Sequence, residues 1–406
     1  MIWDEARDYS PEYATDFREQ VKLHRRHPSI CIVSYCNEEE CCQFDIAAAG
    51  RSFHDAAREF DPNRPLSGNY KVQECGTTNA SQKPYARWEA LEYSDIIGQS
   101  HMGTATFEAI HQAYPAFPMI LSESGSCGLT RAVRNAATCE TIRNEAASLP
   151  YVIGTVGVWS MMDYFGEACS GGNVLNETGP GPYSDWPAVF GTFGNVDIAG
   201  FAKPSAWWYR VNWLAKTTIG AAERPLVGGA SNVSVRALTS CEGFTSTPWA
   251  ELYVDGVRKV VRRPMAQSGM VHVEAACDPG SAYHNVTLLG LDSDRATVLG
   301  RHTVLAPGAA TWVELVLDVP SVSTGTGSAL YLDGMDVALV RVQLLDARGT
   351  VVTDDDRNVT FSVASGPLRI TGVGSGENTN RQHVQGQRYQ TFRGLGRVVL
   401  QPTVDC

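Results

Sequence analysis

At 406 residues the chain exceeds one ordinary core and has room for two or three domains. With 43% hydrophobic, 19% charged and 9% aromatic residues, it is neither disordered nor low in complexity. A net charge of -11 argues against clustered Lys and Arg built for phosphate backbones or anionic lipid, so nucleic acid and membranes are not expected partners.

In chain order, the first half alternates short apolar runs with longer amphipathic stretches. Strands are predicted at 1–3, 30–34, 65–69, 95–99, 119–122 and 155–159. Helices are predicted at 12–24, 45–59, 105–113 and 131–148, where apolar residues recur three and four apart. That pattern predicts parallel strands joined by helices, each strand closing on a polar or aromatic residue, where a (β/α)8 barrel carries its chemistry. Beyond Trp213 the helical pattern stops, and short alternating strands take over with Gly, Pro, Asp and Asn at the turns. Asp255-Gly256 marks one turn; Ala347-Arg348-Gly349 marks another, between runs at 337–345 and 359–363. The expected fold class is α/β plus all-β. A partial (β/α)8 TIM barrel of about six strands spans 1–217, followed by two immunoglobulin-like β-sandwich domains over 218–308 and 309–406 that divide near Pro307 to Ala310.

No apolar run approaches the roughly 20 residues that cross a bilayer, and the N-terminus has no cationic segment leading into an apolar one. Sequons at Asn79, Asn176, Asn232, Asn285 and Asn358 tilt toward the secretory pathway, although no signal peptide is visible. Among 11 cysteines, Cys31, Cys36, Cys41 and Cys42 crowd together without the paired spacing of a zinc site, so no metal is expected. Nothing in the sequence signals an oligomeric state.

The chemistry concentrates in two places. The run Arg26-His27-Pro28-Ser29-Ile30-Cys31-Ile32-Val33-Ser34-Tyr35-Cys36-Asn37-Glu38 reads as a buried strand delivering Asn37 and Glu38 to its C-terminal end. Pro118-Met119-Ile120-Leu121-Ser122-Glu123-Ser124-Gly125 delivers a second carboxylate in the same context. Two strand-terminal glutamates are what glycosidic cleavage by double displacement requires, one to protonate the leaving oxygen and one to attack the anomeric carbon.

These residues resemble glycoside hydrolase family 2. Its members carry an Arg-x-His-Pro-Ser lead-in to a strand closing in Gly-Asn-Glu, where Cys36-Asn37-Glu38 stands here, and a later strand ending Thr/Ser-Glu-x-Gly, matched by Ser122-Glu123-Ser124-Gly125. Gly157-Val158-Trp159, Asp163-Tyr164-Phe165-Gly166-Glu167, Trp186-Pro187 and the stretch from Phe193 to Lys203 resemble the β-galactosidase branch, and the segment from Gly372 to Glu377 resembles a loop of the family's C-terminal sandwich. The resemblance implies a retaining hydrolase of terminal β-glycosides, with β-galactosides preferred, no cofactor, Glu38 as acid/base and Glu123 as nucleophile. It implies carboxyl groups about 5 to 5.5 Å apart, and Asn37 placed against the sugar 2-hydroxyl. Glucuronidase members grip the sugar carboxylate with an Asn-x-Lys pair; the comparable Asn195-Val196-Asp197 ends in an acid, which favours a neutral sugar.

Trp159 reads either as core packing or as a sugar-stacking platform, and His101 either as a structural residue or as part of the sugar pocket. Relatives end that strand in Asn-Tyr; Gln99-Ser100-His101 stands here, so the tyrosine that supports the nucleophile is replaced. Glu39 and Glu40 are expected to face solvent, Asp4 and Glu5 to form salt bridges, and Asp163 and Glu167 to be structural. Met1-Ile2-Trp3-Asp4-Glu5-Ala6 resembles the end of the family's third barrel strand, which implies two sandwich domains and about two and a half strands upstream. The alternative reading is an inactive family 2 homologue that binds carbohydrate or a partner.

Overall fold

The computed structural model describes residues 2–6, 11–38, 41, 46–71, 92–125, 131, 146, 148–155, 158–165, 189–203, 206, 209, 227–228, 240–245, 247–262, 271–276, 285–353 and 355–403. By contact the chain divides into two units, Met1–Gly125 with Ala137–Ser160, and Ser126–Ala136 with Met161–Cys406.

The first unit is a parallel sheet of β1 (Ile2–Glu5), β2 (Ile30–Glu38), β3 (Leu66–Tyr70), β4 (Ile97–Ser100), β5 (Met119–Gly125) and β6 (Val152–Thr155), paired in that order. A short β7 (Val158–Trp159) pairs with the end of β5 at Ser124 and Gly125. The strand predicted at 155–159 is thus two strands on one neighbour. Among the described residues three α-helices intervene: α1 (Ala14–His24), α2 (Ile46–Phe60) and α3 (Thr104–Ala113). The helix predicted at 131–148 lies almost wholly outside the described residues.

The sheet is apolar on both faces, as parallel sheets flanked by helices are. Phe17 and Val21 of α1, Phe53, Ala56 and Ala57 of α2, and Phe107 and Ile110 of α3 are buried in one cluster with Val33, Leu66, Ile97, Met119 and Leu121. Their spacings of three and four put each pair on one helical stripe, and burying each large side chain contributes roughly 1.5–3 kcal/mol. Phe17 meets Phe53 edge-on at 5.1 Å. A second cluster holds Ile32, Ile96 and Ile120 with Trp3 against them. On β5, therefore, Ile120 and Leu121 face opposite ways, as a pleated strand demands.

Among the described residues, the regular elements of the second unit are almost all strands. One four-stranded sheet holds β10 (Trp249–Val254), β11 (Val257–Arg262), β13 (Asn285–Leu291) and β14 (Val298–Leu305); one three-stranded sheet holds β8 (Val227–Gly228), β9 (Ser240–Thr245) and β12 (Val271–Ala276). The last sheets are β15 (Trp312–Val319), β16 (Ala338–Leu345), β20 (Leu395–Pro402) and β18 (Leu368–Gly374), with β17 (Asn358–Thr360) paired to β19 (Arg388–Gln390). The turn expected at Asp255-Gly256 joins β10 to β11 with φ of 49° and 77°, the left-handed pair of a two-residue hairpin. At the second expected turn Gly349 has φ 79°, and the Asp346 side chain accepts from the backbone N–H groups of Arg348 and Thr350.

Candidate active site

All the first unit's strands run the same way, so β2, β3, β4 and β5 present their C-terminal residues along one edge of the sheet. Asn37 and Glu38 end β2, Asn69 and Tyr70 end β3, Ser100 ends β4 and Glu123 lies near the end of β5.

Two irregularities aim these side chains. On β5, unbroken alternation would turn Glu123 to the face of Leu121. Instead, Gln99 pairs with Leu121 while the next residue, Ser100, pairs with Glu123, so one extra residue is absorbed and Glu123 comes level with Ser100. On β2, Ser34 pairs with Ser67 and Asn37 with Asn69, so three steps match two. Bulges that re-aim a side chain recur beside functional sites. Glu38 itself has φ 45° and His101 φ 52°, left-handed conformations that side chains other than glycine rarely adopt.

The two glutamates meet here. Glu38, His101 and Glu123 each offer an atom within 4.8 Å of the others. The Ser100 hydroxyl donates to Glu38 Oε1 at 2.6 Å, and Lys71 Nζ lies 3.4 Å from Glu38 Oε2. Asn69 Nδ2 donates to Glu123 Oε2 at 2.8 Å and also to Asn37 Oδ1, while the Ser122 hydroxyl donates to Asn69 Oδ1. His101 Nε2 lies 3.1 Å from Glu123 Oε1 and 3.8 Å from Glu38 Oε1, and its backbone N–H donates to the Glu123 carbonyl at 2.7 Å. The Trp159 ring stands edge-on to His101, centroids 6.2 Å apart. Glu38, His101 and Glu123 are all partly exposed, so the group opens to solvent while each member is held. The same three side chains are the described residues able to hold a cation, although each already has a partner.

All five residues singled out in the sequence, Asn37, Glu38, His101, Glu123 and Trp159, thus belong to one connected group. Sequence reading missed Asn69, Lys71 and Ser100. Their signal was available in kind, since each is a polar residue at or just past the C-terminal end of a parallel strand.

Other expected residues lie elsewhere. Asp4 is engaged by His24 Nδ1 at 2.9 Å and Gln20 Nε2 at 3.0 Å. In the second unit, Asp163 and Lys203 form a buried ion pair at 2.5 Å. Asp197 is buried, faces Arg131 at 2.7 Å, and accepts from the backbone N–H groups of Ala199 and Phe201. Its charge is consumed internally, so Asp197 gives no ground for excluding an acidic sugar. Glu39, Glu40, Gly157, Gly166, Glu167, Trp186 and Pro187 lie outside the described residues.

Known proteins extend this. Glycoside hydrolase family 2 C-terminal domain 5 matches residues 324–405. The β-galactosidase BoGH2A of Bacteroides ovatus is 25% identical over 244 residues, covering 60% of this chain and 25% of that protein. A solved glycosyl hydrolase family 2 member from Bacteroides cellulosilyticus superposes with a TM-score of 0.68 at 16% identity, covering 99% of this chain and 49% of its own. A β-glycosidase from Bacteroides vulgatus gives a TM-score of 0.69 at 19% identity, covering 97% and 50%. The chain therefore spans a quarter of the curated relative and about half of these structures. Residues 324–405 thus match a glycoside hydrolase family 2 C-terminal domain, and the partial barrel followed by antiparallel sheets gives the chain the fold of solved members of that family.

Proposed function

We propose that the protein hydrolyses terminal β-glycosides with retention, Glu123 serving as nucleophile and Glu38 as general acid/base. The observation that carries this is the spacing of the two carboxylates. Oxygens within 4.8 Å of one another leave no room for a water between carboxylate and anomeric carbon, which an inverting enzyme needs, and suit a direct attack.

Glu123 Oε attacks the anomeric carbon as Glu38 passes its proton to the departing glycosidic oxygen, leaving a glycosyl ester on Glu123. Glu38, now ionised, removes a proton from water, and the resulting hydroxide equivalent cleaves the ester. Asn69 and His101 hold Glu123 on separate oxygens, which fixes the carboxylate plane for attack. Ser100 and Lys71 hold Glu38, Asn37 at the end of β2, held by Asn69, meets the sugar 2-hydroxyl, and Trp159 supplies an apolar wall.

β-Galactoside is the proposed substrate class, supported by the name of the curated relative and by the similarity of Phe193 to Lys203 to that branch. The test is turnover of nitrophenyl β-galactoside and β-glucuronide by the chain, alone and extended upstream. Glu123→Gln should lower kcat/KM at least ~100-fold on the nitrophenyl substrate, and Glu38→Gln should do so on lactose, whose leaving group needs the proton. A folded, upstream-extended protein that turns over no β-glycoside would leave a family 2 scaffold used for binding.

A further inference from the structure

We infer that the disulfide between Cys36 and Cys41 is a positioning device for Glu38. The bond closes a short ring, five residues in sequence separation with Cα atoms 5.2 Å apart, and that ring contains both Asn37 and Glu38. Glu38 sits in it with φ 45°, a left-handed conformation that residues other than glycine rarely adopt unless their surroundings impose it. Both cysteines are buried, Cys36 at 3% and Cys41 at 2% exposure, so the ring is anchored in the core rather than pinned at the surface.

Both anchors lie against β3. A Cβ placed on Gly68 would come 2.7 Å from Cys36 Sγ, so the sulfur occupies space that only a glycine leaves. Cys41 Sγ lies 3.5 Å from the Asn69 carbonyl oxygen. Asn69 in turn donates to Asn37 and to Glu123. The disulfide therefore closes the loop that carries Glu38 while packing its sulfurs against β3. Tolerances are tight in such an arrangement, because a reacting group displaced by about 1 Å loses on the order of 100-fold. Cys36 also stands where the frame that this segment resembles has glycine.

The role rests on the retaining reading, and the chemistry of that reading supplies a specific signature. A leaving group that is already a stable anion departs without a proton, whereas an alkoxide cannot. Misplacing the acid alone therefore slows cleavage of poor leaving groups and spares good ones; misplacing the nucleophile or unfolding the site slows both.

The experiment measures kcat/KM on 2,4-dinitrophenyl β-galactoside and on lactose, for oxidised enzyme and after treatment with dithiothreitol. The dithiol gives up two electrons and two protons, the Cys36–Cys41 S–S bond breaks into two thiols, and the reagent closes into its own cyclic disulfide. Cys36→Ala and Cys41→Ala variants assign the effect to this bond rather than to another. Reduction and both variants should lower kcat/KM on lactose at least ~10-fold and on the dinitrophenyl substrate by less than about 3-fold, while azide, which needs no general base to attack the ester, should raise kcat on the latter. Equal losses on both substrates, no loss on either, or recovery of Cys36 and Cys41 as free thiols from untreated protein would each overturn the positioning role while leaving the hydrolase reading intact. Absence of turnover by the oxidised, upstream-extended enzyme on any β-glycoside would remove the functional reading and this role together.

Discussion

His101 concentrates the most consequence in a single side chain. It approaches Glu123 Oε1 at 3.1 Å, lies 3.8 Å from Glu38 Oε1, and its main-chain N–H donates to the Glu123 carbonyl. A tyrosine hydroxyl, which relatives place in this frame, would make one neutral hydrogen bond to Glu123, the proposed nucleophile. An imidazole makes that bond and also reaches toward Glu38, which a single hydroxyl pointed at one carboxylate does not. His101→Ala should lower kcat by about 10- to 100-fold with a smaller change in KM, because a carboxylate free to rotate loses its attack geometry. His101→Tyr restores a donor to Glu123 and should recover part of the loss. Steady-state kinetics on nitrophenyl β-galactoside decide it, and wild-type kcat in His101→Ala would mean that Asn69 alone orients Glu123. The left-handed backbone at His101, φ 52°, is a second constraint that both variants keep, so the comparison isolates the ring.

Strand by strand, the sequence told more about where the chemistry sits than about how it is aimed. Six apolar runs with polar ends located the sheet and its active edge, and the two glutamate motifs stood at two of those ends. A period-of-two reading cannot register an extra residue, however, so the bulges opposite β3 and β4 that orient Glu38 and Glu123 were invisible. The run through Tyr35, Cys36, Asn37 and Glu38 mixes apolar and polar residues, which is why β2 was predicted to stop at Ser34 and in fact continues to Glu38. Pairing of Cys36 with Cys41 was likewise illegible among 11 cysteines. Close strand contacts left a different kind of signal. On β4, a Cβ at Gly98 would fall 2.5 Å from the Gly68 carbonyl and 2.6 Å from the Trp3 ring, with Ser122 Cβ at 3.1 Å. Backbone cannot yield there, so Gly98→Ala should destabilise the protein by about 1–3 kcal/mol, as overpacking does. Gly154→Ala, whose Cβ would meet only Ile120 at an ordinary 3.7 Å, should stay within about 0.5 kcal/mol. Equal urea midpoints for the two variants would show that the strands can part at Gly98.

At the scale of the whole molecule, the motifs that resemble the β-galactosidase branch most closely turn out to form a buried charged core of the second unit. Lys203 is fully buried, paired to Asp163 at 2.5 Å, and Asp163 also accepts from the Gly194 N–H at 2.9 Å. Gly194 has no space for a side chain, since a Cβ would collide with the backbone of Met162 and Asp163. Nearby, the guanidinium groups of Arg131 and Arg397 lie 4.9 Å and 4.6 Å from the centre of the Phe201 ring. Such a cluster is expensive to assemble, so removing one partner should cost far more than removing both. Burial pushes the Asp163 carboxyl up to about 6, overcoming the opposing pull of Lys203, and pushes the Lys203 ammonium down. The folded state therefore keeps the Asp163 proton to higher pH than the unfolded chain does. This group's contribution favours the fold most below about pH 4 and declines as pH rises from there to about 6. Lys203→Met strands a buried carboxylate and should cost about 3–5 kcal/mol at pH 8, with a smaller loss at pH 5, where the carboxyl can take up its proton. Adding Asp163→Asn should return much of that loss at pH 8 and little at pH 5. Urea midpoints of the single and double variants at both pH values measure the coupling; additive losses independent of pH would mean that solvent reaches Asp163 and that the pair is not a sealed core.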